Sequence, residues 1–249
     1  MEDFRLDPTI AYDVIELPSR GIHYPNKKKS IKVAYLTASD ENIIASPSLA
    51  ASNGVIDELL RRKVLDKDLS VDDIVEEDKQ AILIFLRNTA FGTDYIFSTI
   101  DPKTDEFFDF NVDLSSVKIK DFNLVENENG EYPYYLEKSK MDVTFKFITK
   151  KQEDEIDKIR NSWNGNGVAP IMTKQLEFMI KSIGGIKDPM QIRNFIEKMP
   201  IKDSQDFRKY VNENKPGLDL TQEVTTPSGD TIQVKIGFGV DFFRPFYGL

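Results

Sequence analysis

Apolar and polar positions follow two different periods in the first part of the chain. Between residues 11 and 38, apolar residues fall in short runs separated by Gly and Pro turns, which predicts two or three strands. From residue 55 to residue 64 they recur at helical spacing on one face, which predicts an amphipathic helix. The chain is therefore expected to begin with strands and to continue with helices.

The clearest helical pattern starts at Ser70 and is predicted to end near Ala90, before Gly92. Residues 70–73 resemble a capping box, and an apolar stripe follows them. Acidic residues crowd the first turns, from Asp72 to Asp78. Carboxylates suit Mg²⁺ and Ca²⁺, but negative charge also stabilises the N-terminus of a helix. The second interpretation is favoured, because a run of charges is usually a solvated helix face.

Strand and helix patterns alternate in the remainder of the chain. Further strands are predicted over residues 95–97, 107–114 and 143–147, with a loop at 126–131. Helical patterns follow at 150–163, at 176–183, from Asp188-Pro189 to Met199, and from a cap at Asp203 or Ser204 to Val211. Segments 220–226 and 231–240 flank a turn of Pro, Ser, Gly and Asp, which predicts a C-terminal hairpin.

These patterns predict an α+β fold. An N-terminal antiparallel sheet with amphipathic helices is expected first, followed by a small helical bundle with a C-terminal β-hairpin. Two glycines and two asparagines alternate at 164–167 and resist helix formation, which indicates a domain boundary near these residues. We therefore predict an N-terminal α+β domain over residues 1–150, and a C-terminal helical domain with the terminal hairpin and an aromatic tail over residues 151–249.

Composition removes several classes of function. The 249 residues include no Cys and one His, and 42 acidic residues outweigh 33 basic ones to give a formal net charge of −9. Thiolate chemistry, multi-histidine zinc sites and catalytic triads are therefore not expected within one chain. Neither a phosphate-binding glycine loop nor a nucleophile elbow occurs. We expect no catalysis, no cofactor and no metal.

Charge and hydropathy also limit the partners. The acidic balance argues against broad binding to nucleic acid, which depends on many Lys and Arg contacts to phosphate. The longest purely apolar run, residues 81–86, is far too short to span a membrane, so no membrane association is expected. No basic cap followed by an apolar stretch occurs in residues 1–13, which predicts no signal peptide.

A few residues keep open alternatives. His23 could act as a general base or a pH switch, although a single loop histidine more often makes one hydrogen bond. Residues 27–29 are three lysines in a turn, which could contact phosphate or an acidic partner but are expected to be solvated. The aromatic tail is the strongest candidate for a subunit interface, with closure of the C-terminal core as its alternative. The candidate interface residues are Phe242, Phe243, Arg244, Pro245 and Phe246.

Several segments, in consistent order along nearly the whole chain, carry a family resemblance. They are Leu-Pro-Ser-Arg-Gly at 17–21 with Tyr24, and residues 36–41, 56–60, 78–87, 90–95, 183–186, 192–196, 199–200 and 242–246. In these segments the chain resembles the baseplate hub subunits and hub-assembly proteins of T-even-type contractile-tailed phages. Relatives often carry Cys-x-x-Cys pairs, and the second pair would fall near Thr225 and Ser228, where this chain has no cysteine. The hairpin is therefore expected to be held by packing, with Phe238 and Phe242 in place of a metal.

The resemblance implies a structural role in the virion and no catalytic residues. The expected partners are other baseplate and tail hub proteins, or further copies of the chain itself. The expected location is the host cytoplasm during assembly, and the tail baseplate of the virion if the chain is structural. Two alternatives stay open: a non-structural chaperone or assembly factor for the hub, and a carboxylate-metal enzyme that uses the acidic residues at 72–78.

Overall fold

The computed structural model describes residues 11–24, 26–51, 54–163, 167–238 and 240–243, and it has an α+β fold. The strands are β1 (Tyr12–Glu16), β2 (Ser30–Ala34), β3 (Asp94–Ile100), β4 (Phe107–Asp113), β5 (Tyr132–Leu136), β6 (Met141–Phe145), β7 (Ile180–Ile183), β8 (Thr221–Thr225) and β9 (Thr231–Lys235). The helices are α1 (Ala38–Ile44), α2 (Pro47–Ala51), α3 (Val55–Lys63), α4 (Glu76–Phe91), α5 (Lys150–Ser162), α6 (Ile171–Met179), α7 (Pro189–Lys198) and α8 (Ile201–Glu213).

The chain divides into two compact units. The first unit comprises Met1–Gly21, Lys28–Lys120 and Gly217–Leu249, and the second unit comprises Ile22–Lys27 and Asp121–Pro216. This division differs from the predicted boundary at residue 150, which falls inside the second unit. The physical reason is strand pairing, because β6 pairs with β7 across that position. The C-terminal hairpin likewise belongs to the first unit, where Ile119 bridges to Leu218.

The first unit is built from three antiparallel hairpins and the helices α1 to α4. β1 pairs with β2, β3 with β4, and β8 with β9, each as a separate two-stranded sheet. Helix α3 buries Val55, Leu59 and Leu60, as its period predicted. Helix α4 buries Ile82, Leu83 and Leu86 along one face. Burying these apolar side chains is the main favourable term in holding short hairpins together.

The second unit has one hydrophobic core between a three-stranded sheet and its helices. The strand order is β5-β6-β7, with antiparallel pairing throughout. Phe145 on β6 and Phe207 on α8 are both fully buried, and their ring centroids are 5.4 Å apart. The edge-to-face arrangement of these rings is the one that aromatic pairs prefer.

Three elements differ from the predictions. Ser70 caps only a short 3₁₀ turn over Val71–Asp73, and helix α4 begins at Glu76, because Ile74 and Val75 are extended and buried between them. Residues 180–183 form β7 instead of continuing α6. Helix α8 begins at Ile201, so Asp203 lies in its first turn and is not its cap. In the described ranges, no helix combines the length and apolar character that crossing a bilayer requires.

Candidate functional site

The loop at residues 17–21 is fixed by a buried aspartate. The backbone N–H of Ser19 donates to Oδ1 of Asp78 at 2.8 Å, and the Ser19 hydroxyl donates to Oδ2 at 2.6 Å. Both side chains are fully buried. Asp78 is the third residue of α4, where the helix dipole favours a negative charge. One carboxyl group from a distant helix therefore holds this loop at two points. We call this arrangement, in which one aspartate accepts from both the N–H and the hydroxyl of a serine, a lock, and its serine the locked serine.

The residue after the locked serine has an unusual backbone. Arg20 has a φ of 54°, in the left-handed region that a residue with a Cβ adopts only at a cost. Its N–H donates to the carbonyl of Leu17 at 2.9 Å, which closes a tight turn. The Arg20 side chain is exposed, whereas Leu17, Pro18 and Ser19 are buried. The lock thus presents a single arginine at the surface in a fixed backbone conformation.

Arg20 lines a cleft in the first unit, with a volume of about 510 Å³. The lining residues are Glu16, Leu17, Arg20, Lys29, Ser30 and Ile119. The N–H of Leu17 donates to the carbonyl of Lys29 at 2.8 Å, so the chain segments that carry the two cations are held together. The cleft combines two positive charges, one negative charge and apolar side chains.

The same serine–aspartate arrangement occurs at two other turns. In the second unit, Asp203 accepts from the Ser139 N–H at 2.7 Å and from its hydroxyl at 2.6 Å. In the first unit, Asp101 accepts from the Ser228 N–H at 3.0 Å and from its hydroxyl at 2.9 Å. Both aspartates are buried.

A left-handed residue follows each of the three locked serines. These residues are Arg20, Lys140 (φ 51°) and Gly229 (φ 87°). The hydroxyl and N–H of Ser228 tie the turn of the C-terminal hairpin to Asp101.

Hydrogen bonding keeps two of these carboxylates ionised. Burial raises the pKa of Asp203, but hydrogen bonds from Ser139 and from the N–H of Lys138 together outweigh burial, so the pKa lies below its ordinary value. Burial likewise raises the pKa of Asp101, and the hydrogen bonds from Lys103 and Ser228 more than offset it. The locks at Ser139 and Ser228 therefore have a charged acceptor, which makes stronger hydrogen bonds than a neutral one.

The hairpin of β3 and β4 exposes large apolar side chains on one face. Strand register places Ile100 directly opposite Phe107, and Ile96 lies on the same face of β3. The exposed fractions are 69% for Ile96, 43% for Ile100 and 76% for Phe107. We call this surface the outer face of the β3–β4 hairpin; the opposite face carries aromatic residues such as Phe97 and Phe110, whose ring centroids are 5.5 Å apart.

Acidic side chains accompany the apolar ones on the outer face. Asp94 lies opposite Asp113, and Asp109 lies opposite Ser98. Hydrogen bonds from the Ser115 hydroxyl and N–H lower the pKa of Asp113, so this residue is charged at neutral pH. Like charges directly opposite each other destabilise a strand pair. The outer face therefore has the Asp94–Asp113 pair at one end and the Ile100–Phe107 pair at the other, with Ile96 and Asp109 between them.

The aromatic tail is partly within the described residues. Phe242 and Phe243 are fully buried, with ring centroids 5.3 Å apart, so for these two rings the structure supports the alternative that they close the core. Phe242 also contacts Phe238, at 4.9 Å between centroids. The guanidinium of buried Arg87 lies 5.6 Å from the Phe242 ring. The remaining interface candidates, Arg244, Pro245 and Phe246, lie outside the described residues.

The other candidate residues, His23 and the three lysines at 27–29, have different surroundings from one another. His23 is half-buried, and its ring centroid lies 6.1 Å from that of Phe147. Lys28 is not simply solvated, because its ammonium group bonds to Asp66 at 2.8 Å and to Asp68 at 2.9 Å. Lys27 is exposed and lies 3.4 Å from Glu126. Of the three consecutive lysines, Lys29 is the one that lines the cleft.

The acidic residues at 72–78 do not converge. Asp72 is exposed and faces Arg61 at 3.3 Å, whereas Asp78 is buried and accepts from Ser19. Over the part of the chain that the structure describes, no three His, Asp or Glu side chains are grouped closely enough to hold a metal ion.

Sequence patterns did not identify the locks, because their members are far apart in the chain. Ser19 and Asp78 are separated by 59 positions, and Ser228 and Asp101 by 127. Comparisons with protein-family models, with curated proteins and with solved structures found no match to this chain. The assignment to a phage baseplate family therefore stays a prediction.

Proposed function

We propose that this chain is a structural subunit of the central hub of a contractile phage tail baseplate, and that it acts by binding other proteins without catalysis. The family part of the proposal is supported by the ordered segments that resemble hub proteins. The mode of action is supported by one structural observation, the outer face of the β3–β4 hairpin. Nothing in the proposal requires a cofactor.

Exposed apolar side chains of this size favour a protein partner. Ile96, Ile100 and Phe107 lie on the exposed face of a hairpin whose other face is half-buried and includes the buried Val112. Burying a Phe or Ile side chain contributes about 1.5–3 kcal/mol. Clusters of such residues are common centres of protein interfaces. The neighbouring Asp94, Asp109 and Asp113 suit a partner with basic residues around an apolar centre.

A second candidate function is that of a transient assembly factor for the hub. Its support is the net charge of −9, which would shield a basic surface of a hub protein until that protein is incorporated. The two functions use the same binding chemistry. They differ in whether the chain remains in the finished tail.

Replacement of the two opposed apolar residues tests the proposal. The double variant Ile100→Ser/Phe107→Ser should keep the Tm of the wild-type chain within a few degrees, because both side chains are exposed. Its incorporation into hub intermediates should fall severalfold, as measured by quantitative mass spectrometry. Ile201→Ser is the matched control, since Ile201 is 76% exposed on the second unit, and it should assemble normally.

The same measurement separates the two candidates. The wild-type chain at fixed stoichiometry in purified virions supports the structural subunit. Its presence in intermediates and absence from virions supports the assembly factor. Its absence from both, or normal assembly of the double variant, rejects the proposal.

A further inference from the structure

We propose that the cleft beside Arg20 binds a carboxylate-bearing peptide segment of a partner protein. This inference rests on the proposed function only in taking a protein of the same assembly as the partner. The cleft belongs to the first unit, and its lining residues differ from those of the outer face of the β3–β4 hairpin. It would therefore be a second binding site on the chain.

The chemistry of the lining selects this class of ligand. The Arg20 guanidinium can hold a carboxylate through two parallel hydrogen bonds, and Lys29 adds a second positive charge. Leu17 and Ile119 supply an apolar surface for a side chain next to the carboxylate. Glu16 also lines the cleft, and it would repel a second carboxylate. The fitting segment has one acidic residue flanked by apolar residues.

The lock prepares Arg20 for this role. Its backbone is already fixed by the Ser19–Asp78 hydrogen bonds and by its own N–H bond to Leu17, so binding need not order that backbone. Gly229 occupies the equivalent position after Ser228. Because glycine has no Cβ, it adopts the left-handed conformation without a steric cost. The turn itself therefore does not require a side chain at position 20. The guanidinium is thus brought to the cleft by a turn whose backbone is already fixed.

Lys140 provides the matched comparison. It is exposed, has a φ of 51° and follows a serine that is locked by an aspartate, as Arg20 does. It belongs to the second unit and is not among the residues that line the cleft. Arg20→Gly and Lys140→Gly each remove one positive charge and relieve the same backbone strain. Any difference in binding between them must then come from the cleft.

Chemical-shift mapping of the full ¹⁵N-labelled chain tests the inference. The probe is the blocked pentapeptide Ala-Leu-Glu-Leu-Ala, and the control probe has Gln in place of Glu. We expect saturable shifts at the amides of Arg20, Gly21, Lys29 and Ile119. Affinity should be at least about fivefold weaker for the Gln peptide and for Arg20→Gly, because each loses the charged pair. Lys140→Gly should bind as the wild-type chain does.

The remaining outcomes overturn the inference. Absence of saturable shifts at the cleft, equal affinity of Arg20→Gly and the wild-type chain, or equal losses in Arg20→Gly and Lys140→Gly would each do so. A Tm for Arg20→Gly that matches the wild type ensures that lost binding is not lost folding. Failure of the proposed function is a separate result, because absence of the chain from hub assemblies would leave the peptide measurement standing.

Discussion

The turns at Ser19 and Ser139 have the same local construction in the two units of the chain. In each, a serine donates its N–H and its hydroxyl to an aspartate that is the third residue of a helix, Asp78 in one turn and Asp203 in the other. In each, an exposed cation in the left-handed region follows. The turns differ in their surroundings. Arg20 lines a cleft with Lys29, whereas Lys140 lies in the turn that connects the paired strands β5 and β6.

This difference separates the structural role of the lock from the role of the cation that follows it. A buried carboxylate at the start of a helix fixes a distant turn in both units, so the lock is a structural device. The binding function proposed for the cleft belongs to the residues around Arg20 and not to the lock itself. The following substitutions test that separation, starting with the largest expected effect.

Removing the acceptor should affect both units strongly. Asp78→Ala leaves the buried N–H and hydroxyl of Ser19 without their partner, and Asp203→Ala does the same at Ser139. We expect each change to lower the free energy of unfolding by about 2–4 kcal/mol, as measured by urea denaturation. A loss below about 0.5 kcal/mol at either site would mean that the lock contributes nothing there.

The second-unit lock should also weaken in acid. The pKa of Asp203 is lower in the folded chain than its ordinary value of 3.8, so its stabilisation is complete above that pH and is lost as the pH falls through the folded-state pKa. Asp203→Asn should therefore be less stable than the wild type at neutral pH. The gap in unfolding free energy should shrink below pH 3.8. A gap that is constant with pH would contradict a charged acceptor.

Removing one hydroxyl should have a smaller effect that differs between the two turns. Ser19→Ala should lower the unfolding free energy by about 1–2 kcal/mol, because Ser19 is fully buried. Ser139 is only half-buried, so Ser139→Ala should cost about 0.5–1 kcal/mol. Chemical denaturation of both variants measures the order, and a larger loss for Ser139→Ala would reverse the comparison.

Glycine at the left-handed positions should change stability least. Arg20→Gly and Lys140→Gly relieve backbone strain in the folded state but raise the entropy of the unfolded chain. We expect the unfolding free energy of each variant to stay the same or rise by up to about 1 kcal/mol. Thermal melts test this, and a clear loss of stability would show that the side chain supports the turn.

The sequence predicted elements whose signal is local. Helix α3 and the C-terminal hairpin followed from apolar period and turn residues, and both are present. Strand β7 was missed because Ile180 and Ile183 also fit a helical period, and their strand partners lie far away in the chain, on β6. Helix α4 starts at Glu76 because two buried residues, Ile74 and Val75, follow the short turn that Ser70 caps.

The candidate surfaces were harder to predict from the sequence than the helices and strands. Phenylalanine is common at protein interfaces, so Phe242 and Phe243 were reasonable candidates. The Phe242 ring is instead in contact with Arg87 and Tyr95, which are far away in the chain. Phe107 carried no distinguishing signal, since alternation predicts which residues share a face and not which face is solvated. The resemblance includes both the Leu-Pro-Ser-Arg-Gly segment and Asp78, but the charge pattern predicts a solvated helix face at Asp78, which is in fact buried against Ser19.

For the hub subunit proposed above, the most direct test of a partner-binding role for the cleft is the yield of complete tails when the only copy of this chain is a glycine variant. Arg20→Gly and Lys140→Gly are matched in charge and in backbone effect. We predict that Lys140→Gly supports the wild-type yield and that Arg20→Gly, at equal stability, lowers it severalfold. A wild-type yield with Arg20→Gly, or equal losses with both variants, would contradict the assignment of the cleft to a partner.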